Sequence, residues 1–159
     1  MTRTRIIILA IVALIGIMVL GKIFFQDDDA EIRTLLDEMI NAAQERNTKE
    51  FMKHFSFKYK DSSGNTYFII QQYVKRAFDL IDGLKVDVKN IDIYVAGDSA
   101  YVTLEVITRA STNGGITHPF GSEQDPEMPR LTLKKERLDW KIVKVEGVQG
   151  SGYFSEFEF

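Results

Sequence analysis

Two periods of hydrophobic and polar positions divide the chain, and a continuous apolar run precedes both. From residue 6 to residue 21 every position is apolar or glycine, and after Lys22 the run resumes with Ile23, Phe24 and Phe25. Beyond three aspartates, Ile32, Leu35, Leu36, Met39, Ile40 and Ala43 recur at helical spacing opposite Glu31, Arg33, Asp37, Glu38, Gln44 and Glu45. This predicts an amphipathic helix over 30–46. Asn47 with Glu50 three residues on is a capping-box pattern that starts a second, short helix reaching Phe55. "SFKYKD" at 56–61 alternates like a short strand, and "SSGN" is a turn into a third helix with Tyr67, Ile70, Val74, Ala77 and Ile81 inward and Gly83 as its terminator. From Leu84 the period becomes two. Val86 and Val88 give way out of phase to Ile91, Ile93 and Val95, which predicts a bulge near Lys89 and Asn90. After the "AGDS" turn, Ala100, Val102, Leu104 and Val106 share one face of a strand and Tyr101, Thr103, Glu105 and Ile107 the other. A glycine- and proline-containing loop at 111–129 leads to a closing hairpin, "RLTLKKER" and "LDWKIVKVEGV". The expected architecture is α+β: three helices packed on a curved four-stranded antiparallel sheet, behind an N-terminal transmembrane helix.

The first apolar run has about the 20 residues that cross a hydrocarbon core as a helix. Arg3 and Arg5 precede it and Asp27, Asp28 and Asp29 follow it, so the positive-inside rule places a short N-terminus in the cytoplasm and the domain outside. A cleaved signal peptide is the competing reading, but "MVLGKIFFQD" offers no small-x-small cleavage site. The expected organisation is an anchor at 1–26, a folded domain at 27–149 and an aromatic, acidic tail at 150–159, in a single-pass protein of the cell membrane (periplasmic domain if the cell is Gram-negative). Three of the 20 basic residues (Arg3, Arg5, Lys22) and none of the 23 acidic ones precede Asp27. The domain is therefore net acidic, which excludes nucleic acid as a natural partner. The absence of cysteine removes disulfides, thiolate metal sites and cysteine nucleophiles.

The order of elements, with "EIRTLLDEMINAAQERNTKEFMKHFS", the "DSSGN" turn, "GDSAYVTLEV" and "LDWKIVKVEG", resembles the nuclear-transport-factor-2-like superfamily over residues 30–148. The resemblance implies a cone in which the sheet curls around the helices and the last strand sets Trp140 and Ile142 against them. Enzymes of that superfamily hold polar groups inside the cone, for example a carboxylate base opposed by a tyrosine or protonated acid. Here the inward stripe of the first helix is aliphatic and lacks the tyrosine that ketosteroid isomerase carries there, so that chemistry is not carried over.

Candidates for a polar pocket are His54, Tyr59, Asp61, Tyr73 and Glu105, while Tyr101, Thr103 and Ile107 form a candidate partner surface. His54 and Asp61 also suit element ends, and Tyr101, Thr103 and Glu105 suit an outer sheet face. No phosphate-binding loop, dinucleotide fingerprint or nucleophile elbow is present, and His54 and His118 are the two histidines. Glu123, Asp125 and Glu127 crowd one loop without the spacing of a calcium-binding hand. No catalytic residue, metal or cofactor is assigned. In the tail "YFSEFEF", Tyr153, Phe157 and Phe159 fall on one side of an extended segment; Phe157 and Phe159 could engage a groove by strand addition, or the rings could fold back onto the domain. These features predict an extracytoplasmic, non-catalytic binding or assembly module with a protein partner or a second copy, of the kind that serves in an envelope complex. The alternative is an isomerase- or dehydratase-like enzyme working inside the cone.

Overall fold

The computed structural model describes residues 27–148; the expected anchor and the aromatic tail, with Phe157 and Phe159, lie outside the described residues. Among the described residues no helix is long and apolar enough to cross a membrane. The first helix, α1, runs Asp28–Gln44, starting two residues before the expected position 30 because the Asp27 side chain caps the Ala30 amide and Asp28, Asp29 and Glu31 sit in the first turn. Carboxylates there complement the free amides and the positive end of the helix dipole. Asn47 accepts from the Glu50 amide at 3.1 Å and begins α2, Thr48–Met52. The third helix, α3, spans Tyr67–Asp79.

The expected strand at 56–61 does not form. The segment is a series of turns held at single points beside the last strand, with Ser56 N donating to Ile142 O at 2.9 Å and Lys60 N to Val143 O at 3.1 Å. Alternation over six residues without a continuous partner edge does not make a strand. Gly83 does not end α3 either; it opens β1, Gly83–Ala96.

Five strands form the sheet, one more than expected: β1 is followed by β2 (Ser99–Thr112), β3 (Gly115–Thr117), β4 (Arg130–Glu136) and β5 (Asp139–Glu146). The order is β1-β2-β4-β5, with the short β3 also on β2, and all pairs are antiparallel. The expected bulge is present between Lys89 and Asp92, with Asn90 at φ 50°. A second register shift between Thr132 and Leu133 bends the closing hairpin.

The segment expected to be a solvated loop is partly built into the sheet. Beyond β3 it returns along β2, where Thr108 N donates to Gly121 O, Val106 N to Glu127 O and Leu104 N to Pro129 O. Gly121, at φ 67°, sits so close to the Val106 carbonyl and the Glu127 amide that a Cβ would overlap them.

The core joins Ile32, Leu35, Leu36, Met52 and Phe55 of the helical layer to Val102, Leu133, Trp140 and Ile142 of the sheet. Trp140 is 4% exposed. Its indole N–H donates to Asp28 Oδ1 at 3.1 Å, and Lys135 Nζ donates to the same oxygen at 2.6 Å while lying 5.6 Å from the ring centre. The hydrogen bond from Lys135 holds the Asp28 carboxyl below its ordinary pKa. The single tryptophan thus ties the first turn of α1 to the closing hairpin.

Candidate functional site

Between the helical layer and the concave sheet face lies an open cavity of about 880 Å³. Leu36, Met39, Ile40 and Ala43 of α1 form one wall, and Ile70, Val74 and Ala77 of α3 a second. Val86 and Val88 of β1 with Leu104 and Val106 of β2 form the floor, and Phe51, Phe55, Phe78 and Phe120 add rings. The aliphatic stripes read from the sequence are therefore real, but part of them lines a hollow.

Polar groups gather toward the rim. Asp61, Ser62, Ser63 and Asn65 come from the turn before α3, and Glu146, Gly147 and Val148 from the end of β5; Ser62 Oγ donates to Glu146 Oε1 at 3.0 Å and ties the two together. Arg76 and Glu127 also line the cavity.

The structure divides the candidate pocket residues. Tyr59, Asp61 and Tyr73 line the cavity, whereas His54 and Glu105 do not. Tyr59 is buried against Phe55, with ring centres 5.5 Å apart. Burial, then the nearby Asp61, pushes its hydroxyl up to about 12, with the Val145 backbone opposing. Tyr59 thus offers a neutral hydrogen-bonding hydroxyl at ordinary pH, not a base. Asp61 accepts from the Ser63 and Asn65 amides, both at 2.9 Å, and from the Asn65 side chain at 2.8 Å. Its carboxylate is engaged in building the turn, which limits what it can offer a ligand.

Glu105 faces away because β2 alternates: Leu104 and Val106 point into the cone, and Glu105 accepts from Asn90 Nδ2 at 2.6 Å beside the β1 bulge. On that outer face Tyr101 is 52% exposed and stacks with Tyr94 at 6.4 Å, and Thr103 is half-buried. Ile107 corrects the expected partner surface, since it is 2% exposed where residues 118–129 run alongside β2. Alternation assigned its face; it could not show that the face is covered there.

His54 is buried, and its Nε2 has no hydrogen-bond partner, Glu38 Oε2 lying 3.5 Å away. Burial first, then the neighbouring Lys53, lowers its pKa to about 4 from an ordinary 6.5. The unfolded chain therefore binds the proton more readily between these values, so the neutral imidazole's stabilising contribution is complete above pH 6.5 and is lost as pH falls toward 4. The expected result is a urea midpoint that declines from pH 6.5 to pH 5, with a shallower decline in His54→Leu. Equal slopes would remove His54 as the cause. Asp28, Glu50 and Glu146 have lowered pKa values from starting points of 3.8 or 4.5, so their loss comes at more acid pH.

Sequence reading missed Phe120 and Glu127 as cavity residues. The signal available was Gly121, next to Phe120 in sequence and packed against the Glu127 amide; the buried Thr108 hydroxyl donates to Phe120 O and accepts from Phe120 N, both at 2.8 Å. Glu123, also expected in a solvated acidic loop, pairs with Arg109 at 2.7 Å. Among the described residues no cluster of three histidine or acidic side chains is placed to hold a metal ion.

No family model matches the chain, and no curated protein matches it. Solved structures do. A protein from Novosphingobium aromaticivorans provisionally assigned as a scytalone dehydratase superposes with a TM-score of 0.66 at 14% identity, covering 78% of this chain and 84% of the other. A nuclear transport factor 2-like superfamily protein from Salmonella enterica gives 0.64 at 14% identity, covering 76% and 89%. A protein from Streptomyces avermitilis, provisionally assigned as a dehydratase of the nuclear-transport-factor-2-like family, gives 0.63 at 8% identity, covering 74% and 92%. The described residues have the nuclear-transport-factor-2-like fold, a cone of helices inside a curved antiparallel sheet.

Proposed function

We propose that the cone is a binding chamber for a largely apolar small molecule, carried outside the cytoplasm by an N-terminal membrane anchor. One observation carries this reading: the 880 Å³ cavity has aliphatic and aromatic walls and a polar rim. Packed interiors leave few voids larger than a water molecule, and apolar walls hold water poorly. Ligand sites have this form, with a few polar groups fixing orientation. Tyr59 stands buried in the wall with its hydroxyl neutral, and the rim leaves a ligand's polar end near water.

The expected result is that residues 27–148 bind the apolar probe N-phenyl-1-naphthylamine, and that Val74→Trp, which places a ring into the chamber from the half-buried wall of α3, weakens binding at least tenfold while thermal unfolding stays cooperative. Equal binding by both proteins would overturn the assignment.

A catalytic reading is favoured by the fold neighbours provisionally assigned as dehydratases. In this chain it would have to draw on Tyr59, Tyr73 and the rim groups Asp61, Arg76, Glu127 and Glu146, since His54 and Glu105 do not line the cavity. Asp61, engaged by its own turn, is poorly disposed as a general base. The geometry therefore favours binding without turnover.

The anchor rests on the apolar run from Ile6 and the flanking charges. A reporter active only outside the cytoplasm should work when fused after Phe159. Activity of a cytoplasm-only reporter at that point would exclude the orientation.

A further inference from the structure

We propose that the aromatic segment at 153–159 of the same chain docks into the cone and competes with ligand for it, so that the chamber carries its own occupant. The proposal rests on the cavity being open to apolar groups, as in the functional reading above.

Three observations support it. The first is position. Glu146, Gly147 and Val148, the last described residues, themselves line the cavity, so the chain leaves the domain at the rim. The second is reach. Five steps separate Val148 from Tyr153, a span of up to about 17 Å, and Gly150, Ser151 and Gly152 permit a reversal over the opening.

The third is chemical and steric fit. Residues 153–159 contain Tyr153, Phe154, Phe157 and Phe159. In an extended segment Tyr153, Phe157 and Phe159 share one side, while Phe154, Glu156 and Glu158 share the other. That arrangement suits rings entering an apolar hollow with carboxylates left in water. A void of roughly 150 Å³ accepts one benzene, so a chamber of 880 Å³ has room for more than one ring. An intramolecular occupant also has a high effective concentration, which a free ligand must exceed. The chamber would then select for ligands that bind tightly enough to expel the tail.

Photo-crosslinking tests this in the full chain carried in lipid nanodiscs. With Phe157 replaced by p-benzoylphenylalanine, irradiation is expected to yield intramolecular adducts on cavity residues such as Ile70, Val74 and Leu104, mapped by mass spectrometry. Adducts confined to the outer sheet face, to lipid or to another molecule, or no adduct at all, would overturn the proposal. A second measurement separates the tail from the ligand reading. Residues 27–159 should bind N-phenyl-1-naphthylamine at least tenfold more weakly than residues 27–148, and replacing Tyr153, Phe157 and Phe159 together by serine should restore the affinity. If residues 27–148 fail to bind the probe while adducts still map inside the cone, the ligand reading fails and the docked tail stands.

Discussion

Trp140→Ala is expected to lower the free energy of unfolding by about 3–5 kcal/mol, the range for removing a buried large aromatic from a core. The ring is nearly inaccessible, and its N–H is satisfied by Asp28, which also takes the Lys135 ammonium. Removing it opens a void between the first turn of α1 and the closing hairpin and takes away a hydrogen bond. The neighbouring ion pair contributes much less. Lys135 and Asp28 are both partly exposed, so solvent screening holds such a pair to about 1 kcal/mol or below. Lys135→Met should accordingly cost at most about 1 kcal/mol, and the contrast between the variants shows that ring burial dominates this junction. Urea unfolding followed by circular dichroism measures both. A cost below about 1 kcal/mol for Trp140→Ala would mean that the ring does not close the core.

Gly121→Ala is expected to cost about 2–4 kcal/mol, from two additive causes. At φ 67° any residue with a Cβ is strained by about 1–2 kcal/mol. The new Cβ would also overlap the Val106 carbonyl oxygen and lie 2.5 Å from the Glu127 amide nitrogen, both backbone atoms that cannot rotate away. Relief requires lifting the segment off β2, breaking the bonds from Thr108 N to Gly121 O and from Val106 N to Glu127 O. Gly97 is the control: it has φ 64° but nothing within 4 Å of the position a Cβ would take. Gly97→Ala should cost only about 1–2 kcal/mol, from backbone conformation alone. Matching melting temperatures for the two variants would show that residues 118–129 are not held against the strand.

The fold was legible in the sequence wherever a period ran long enough against a continuous partner. The stripe from Ile32 to Ala43, the Asn47 cap, the change of phase near Asn90 and the closing hairpin around Trp140 each state their local structure. Short or partnerless patterns misled: 56–61 alternates but touches β5 only at points, and 111–129 looks like a loop because its pairing to β2 is too brief to leave a periodic signal. The cavity was hidden for a different reason. Leu36, Met39, Val74 and Leu104 read as core whether they meet facing side chains or an open space, because periodicity fixes which side a residue faces but not how far away the opposite wall stands. Burial of Ile107 was illegible for a related reason, since alternation gives the side a residue faces and not whether that side is covered.

The most direct measurement is a methyl-resolved nuclear magnetic resonance titration of residues 27–148 with N-phenyl-1-naphthylamine. If the cone is a binding chamber, the largest saturable shifts will fall on the methyl groups of Leu36, Val74, Val88, Leu104 and Val145, which line the cavity. Ile142, which is buried outside that lining, will move little. The absence of saturable shifts at the lining methyls, or larger ones at residues distant from the cavity, would contradict the account.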